Sequence, residues 1–257
     1  MSCSTETVAV GGTQLYLLKG GSGRAALVLH GIEGHEGWLA FHDQFSESRT
    51  VYAPSHPGYG HTQAPAWITG VQHQAIFYHW FLQQAGLDEV DLVGVGLGGW
   101  IAAEMAVMDA SRLRHLVLVN PTGIRPEQSD MLDVFVAPWR QVIERGFHNA
   151  DQFQRVYADA PIQDFGGVRE AGRTMSMRMC FKPYMHNPSL QGMLPKVRTR
   201  TLIVRAEDDA IVPLECAERF AQSIPGATLR VLAETGHFAH MDQPHALGAL
   251  VNEYLSS

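Results

Sequence analysis

One stretch of this chain is shaped to present a nucleophile and carries none. In Val90-Asp91-Leu92-Val93-Gly94-Val95-Gly96-Leu97-Gly98-Gly99-Trp100 an apolar run ends in Gly-x-Gly-x-Gly-Gly, and the helix-forming run Ile101-Ala102-Ala103-Glu104 follows. Strand, sharp turn and helix in that order make a nucleophile elbow, whose usual pattern is Gly-x-Ser-x-Gly. Here the central residue is Gly96. A side chain on such a turn costs about 1–3 kcal/mol of backbone strain, which glycine avoids. Gly96 therefore relaxes the turn and deletes the attacking oxygen. No serine or cysteine occurs from Leu92 to Ala110 to replace it, and Ser55 sits on a different turn.

The partners of a missing nucleophile are present further along. Ala206-Glu207-Asp208-Asp209-Ala210-Ile211-Val212-Pro213 offers a carboxylate, from Asp208 or Asp209, and Gly236-His237-Phe238 offers an imidazole. In nucleophilic catalysis such a histidine is the base, and the aspartate fixes its tautomer and stabilises the imidazolium. Developing negative charge needs two backbone N–H donors. Leu97, at the start of its helix, supplies one, and the helix dipole adds to it. The loop after a strand ending in Leu29-His30-Gly31 supplies the other, from Ile32, with His30 bracing that loop.

Short β-type runs alternate with helical patterns around these positions. Strands are expected at Leu15–Leu18, Ala25–Leu29, Thr50–Ala53, Val90–Val95, His115–Val119, Thr201–Arg205 and Thr228–Leu232. Helices are expected at Val71–Ala85, Leu97–Met108, Leu214–Ser223 and Ala246–Leu255. This alternation implies a parallel sheet covered on both faces. Residues 125–197 break the rhythm. Asp133–Ile143 and Ala150–Tyr157 read as helices, no strand stands out, and Met175, Met177, Met179 and Met185 read mainly as packing residues. We read residues 125–197 as a helical cap inserted into a core made of 1–124 and 198–257.

Four patterns in chain order carry a family resemblance: Leu29-His30-Gly31-Ile32-Glu33-Gly34; Pro54-Ser55-His56-Pro57-Gly58-Tyr59-Gly60; the glycine elbow; and the Asp208-Asp209 and Gly236-His237 segments. Across almost its whole length the chain resembles the α/β-hydrolase superfamily, in particular bacterial members whose elbow continues Gly-Gly-Trp-Ile-Ala-Ala-Glu. The resemblance implies an α/β fold with a mostly parallel eight-stranded sheet, helices on both faces and a helical cap. It places the acid four residues before the proline of Val-Pro, which selects Asp209 and leaves Asp208 facing solvent or bracing its loop. Asn120, at the other acid position the superfamily uses, cannot carry the charge. It sets His237 above the elbow, with His240 and His245 on the surface.

Three readings follow from an intact His–Asp pair without a serine. The first is a member of an ester, lactone or C–C bond hydrolase lineage, inactivated or made to trap its ligand by Gly96. The second is a serine-independent enzyme using the pair as general base on water or an acidic substrate, as cofactor-free lyases, decarboxylases and dioxygenases do. The third is a non-catalytic ligand-binding protein.

The 257 residues are 46% hydrophobic and 18% charged with a net charge of −7, which suits one globular domain with a sizeable core. No Lys/Arg cluster invites nucleic acid or an anionic membrane. No signal-peptide pattern and no membrane-length apolar run is present. With three widely spaced cysteines, this points to a reducing, cytoplasmic setting. The expected partner is a small, largely apolar molecule, and a homodimer is compatible with the composition. Glu33, Trp38, Trp139 and Phe238 are candidate substrate contacts; Phe41, Tyr59, Phe135 and Tyr184 are further aromatics of the same pocket or of the core. His35 and Glu36 follow the first loop. No spacing repeats a metal-ligand set, and no cofactor is expected.

Overall fold

A computed structural model describes residues 3–34, 37–157 and 168–256. His35 and Glu36 lie outside the described residues. The chain order is β1 (Cys3–Val10), β2 (Thr13–Gly21), β3 (Arg24–Leu29), α1 (Ala40–Ser46), β4 (Arg49–Pro54), α2 (Val71–Gln84), β5 (Val90–Val95), α3 (Leu97–Met108) and β6 (Leu113–Val119). It continues with α4 (Trp139–Arg145), α5 (Ala150–Tyr157), α6 (Val168–Cys180), α7 (Leu190–Met193), β7 (Arg200–Ala206), α8 (Leu214–Ser223), β8 (Thr228–Leu232), α9 (Ala239–Asp242) and α10 (Pro244–Ser256).

The strands form one eight-stranded sheet in the order β1-β2-β4-β3-β5-β6-β7-β8. β1 and β2 pair antiparallel, as do β2 and β4; every other pairing is parallel. Central strands read as continuous apolar runs because both faces are covered: all of Val90–Val95 is buried. One core layer joins the sheet to α2 and α3 through Phe77, Tyr78, Trp100 and Ile101. The other joins it to α1 and α10 through Phe41, Phe45, Leu247 and Val251.

β1 is not among the expected strands; its first three residues are exposed, and only Glu6, Val8 and Val10, on one face, are half-buried or buried. An edge strand that touches the core only at its end needs little apolar alternation, so Ser4-Thr5-Glu6-Thr7 carries no strand signal. The expected helix over Asp133–Ile143 starts later, at Trp139, and Pro138 is its cap. Asp133 instead accepts the amides of Phe135 and Val136 through Oδ1, at 3.0 and 3.1 Å, and closes a turn. Met175, Met179 and Met185 are core residues, whereas Met177 is exposed. Among the described residues no helix is long and apolar enough to cross a membrane.

Candidate active site

Gly96 follows β5 with φ 52° and ψ −113°, a conformation that favours glycine. The turn is pinned on both sides. The Gly96 N–H donates to Val119 O at 2.9 Å, and its carbonyl accepts the amides of Trp100 and Thr122, each at 3.2 Å. Close approach of α3 to the sheet depends on two further glycines. A Cβ on Gly94 would lie 2.2 Å from Gly98 O, and one on Gly98 would lie 2.2 Å from Leu29 O. The tight strand-to-helix turn is thus held with no side chain at position 96.

His237 follows β8 and is buried. Its Nδ1–H donates to Asp209 Oδ2 at 2.8 Å, which leaves Nε2 as the free ring nitrogen. Asn120 fastens the same loop by donating Nδ2–H to His237 O at 2.8 Å. Asp209 follows β7, and its Oδ1 accepts the amides of Ile211 and Val212 at 2.9 and 2.8 Å, so the carboxylate cannot swing away. A Cβ built on Gly96 would lie 3.1 Å from His237 Nε2. Position 96 therefore faces the His237 Nε2. Burial pulls the imidazole towards neutrality, but the charge and hydrogen bond of Asp209, with the charge of Glu33, outweigh it and raise its proton affinity.

The other ends of parallel strands complete the setting. Ile32 follows β3 and Leu97 opens α3; both are buried, and among the described residues neither amide finds an acceptor. His30 braces the loop: its Nε2 accepts the His56 amide at 3.0 Å. Open α/β sheets bind ligands at these carboxyl ends of strands. Among the described residues no hydroxyl or thiol hydrogen-bonds to His237 Nε2. Ser55 is turned away, its hydroxyl donating to Tyr59 O at 2.8 Å. Cys180 and Cys216 are buried, which pushes both thiols up, Cys216 to about 12.

A family model described as the alpha/beta hydrolase family matches residues 26–250. The chain belongs to that family. It is similar to the 2-hydroxy-6-oxo-2,4-heptadienoate hydrolase of Pseudomonas putida F1, with 28% identity over 97% of this chain and 95% of that one. A 2-hydroxymuconate semialdehyde hydrolase of Pseudomonas putida is 26% identical over 92% of this chain and 88% of its own. Among solved structures, a serine-to-alanine mutant of the meta-cleavage product hydrolase CumD from Pseudomonas fluorescens IP01, complexed with acetates, superposes with a TM-score of 0.81 at 19% identity. That match covers 98% of this chain and 97% of CumD.

On this hydrolase fold the remaining candidates scatter. Trp38 covers Gly20 of β2 and donates its indole N–H to Asp43 at 2.9 Å, so it braces β2 against α1. Phe238 is fully buried against the Gly146 backbone, with its ring centroid 6.0 Å from that of Phe147, and its ring packs as core. Trp139 opens α4, half-buried, with the Arg173 guanidinium 5.9 Å from its ring. Glu33 is buried in the first loop, not solvated. His240 departs from its expected surface position: it is buried, and its Nε2 lies 3.3 Å from Glu33 Oε1. Burial alone would raise the Glu33 carboxyl, but the hydrogen bond and charge of His240, with backbone N–H donors, hold it below its ordinary value. Asp208 braces its loop, accepting from His148 Nδ1 at 2.6 Å, while His245 is exposed as expected. The Glu33–His240 pair carries no local sequence signal.

Proposed function

We propose that this protein comes from a C–C bond hydrolase lineage and binds the acyl compounds of that lineage without forming a serine acyl-enzyme. The observation that carries this reading is the 3.1 Å between a Cβ at position 96 and His237 Nε2. The base aims at a nucleophile position that bears no side chain. The curated relatives are named for 2-hydroxy-6-oxo-2,4-heptadienoate and 2-hydroxymuconate semialdehyde, so dienoates with a carbonyl in conjugation are the ligand class to test. The Ile32 and Leu97 amides would hold the carbonyl oxygen, and helices α4 to α7 would cap the site. A missing triad member can leave ~10³–10⁴-fold catalysis over water from binding and the oxyanion hole. Weak turnover is therefore expected, and retention of ligand rather than cleavage.

A second reading rests on the orientation of Nε2. With no hydroxyl at position 96, His237 can take a proton directly from water or from an acidic substrate, with Asp209 stabilising the imidazolium. The two readings part in one experiment. A conjugated dienoate is mixed with the chain, and its absorbance is followed through binding and decay. Binding with little decay supports the lineage reading. Efficient decay that disappears in His237→Ala rejects it in favour of general-base chemistry.

A further inference from the structure

Glu33 lies between the two loops that build the site. Its side chain is fully buried, and Oε1 accepts the Gly31 amide at 2.9 Å while standing 3.3 Å from His240 Nε2. Oε2 has no partner among the described residues. That oxygen lies against Gly31: a Cβ there would be 2.3 Å from it. Gly31 also neighbours position 96, whose Cβ would fall 3.7 Å from the Gly31 Cα. A buried carboxylate oxygen, the bare elbow and the His237 ring are thus grouped around one glycine. Burying an ionised carboxylate with one oxygen unpartnered is costly, so the arrangement calls for a role beyond packing.

We propose that Glu33 is a positioning residue, a second carboxylate that, with Asp209, stabilises the imidazolium His237 forms on taking a proton and ties the Ile32 loop to the His237 loop through His240. His237 then answers to two carboxylates: Asp209 from the loop after β7, bonded to Nδ1, and Glu33 from the loop after β3, whose Oε2 lies against Gly31 next to position 96. The titratable groups that Glu33 influences are His240 on α9, in contact at 3.3 Å, and through its charge His237 and the Tyr59 phenol, whose proton it helps retain. His240 also borders a cavity of about 20 Å³ lined by His30, Gly34, Phe41 and Val95, room for one water. A water there can serve the His240 Nδ1, which has no partner among the described residues.

This inference rests on His237 being the base of the site. Its test does not use activity, so the two can fail separately. The His237 imidazole is titrated by NMR in ¹⁵N-labelled protein, with His237→Ala identifying its signals. In Glu33→Gln the midpoint falls, because a negative charge that favours the imidazolium is removed. The Nδ1 proton shared with Asp209 keeps its signal, and Glu33→Asp restores most of the shift. An unmoved midpoint in folded Glu33→Gln overturns the proposal, because a purely structural residue would change the melting temperature and not the titration. Should Glu33→Gln fail to fold, Asp209→Asn decides. With Glu33 as the remaining carboxylate, the Asp209→Asn midpoint falls further when Glu33→Asp, which moves the charge, is added; a midpoint indifferent to that second change overturns the proposal. An inert Gly96→Ser variant would count against the reading of the site and leave this result standing.

Discussion

Gly96→Ser is the sharpest perturbation of this protein, because the structure fixes both its cost and its benefit. The cost is conformational. Gly96 sits at φ 52°, ψ −113°, where a side chain costs about 1–3 kcal/mol. The new Cβ would stand 3.1 Å from His237 Nε2, so the imidazole must yield slightly. For a chain of this size each kcal/mol lowers the melting temperature by about 2–4 °C, so a drop of about 2–12 °C is expected. The benefit is a hydroxyl oxygen one bond further out, within hydrogen-bond reach of Nε2. In a protease triad, removing the serine alone costs about 2 × 10⁶ in kcat, and the reverse change here should raise ester hydrolysis by ~10³ or more. The assay is p-nitrophenyl acetate under pre-steady-state conditions. The variant should release a burst of nitrophenol near one equivalent, and a fluorophosphonate should add its mass at position 96 only in the variant. A variant that folds, melts in the expected range and shows neither burst nor labelling refutes the assignment of position 96 as the nucleophile site. A glycine form that already turns over esters as fast as the variant refutes it too.

Other outcomes follow from the same geometry. In the Gly96→Ser background, Asp209→Asn should lower kcat by ~10⁴, as loss of the orienting carboxylate does in a protease triad, measured with the same ester. In that background kcat/KM should fall as pH drops through the His237 value, which lies above the ordinary 6.5 because Asp209 and Glu33 overcome burial. Stability should depend on pH at both ends in urea titrations. The raised His237 contributes fully below 6.5 and loses its contribution as pH rises through its higher folded value. The lowered Glu33 contributes fully above 4.5 and loses it as pH falls through its lower folded value. These two contributions coincide between 4.5 and 6.5, and a stability maximum well above that window would refute their dominance. Gly98→Ala should destabilise by about 3 kcal/mol or more, because its Cβ would meet Leu29 O at 2.2 Å and the backbone must move; calorimetry reads it, and a neutral substitution would mean that α3 is not held against β3.

The sequence by itself determined the features whose signal is local. The elbow shows as an apolar strand, a run of glycines and a helix because tight crossing and positive φ both demand glycine, at Gly96 and Gly98. The alternation of strands and helices is legible because the parallel strands are buried on both faces, and each reads as an unbroken apolar run. Asp209 could be told from Asp208 only through the resemblance; the structure supplies the reason, since Asp209 is held by two amides and His237 while Asp208 turns to His148. The tertiary structure alone decided where polar residues far apart in sequence meet. Glu33 and His240 stand about two hundred residues apart in the chain, and each looks like a surface residue until the ends of β3 and β8 bring them together in the interior. β1 escaped notice for the complementary reason: most of it is exposed, only its end meets the core, and it is held by backbone bonds to β2, which leave no mark on residue choice. Burial of a charge and pairing of an edge are properties of the assembled sheet, and no window of sequence contains them.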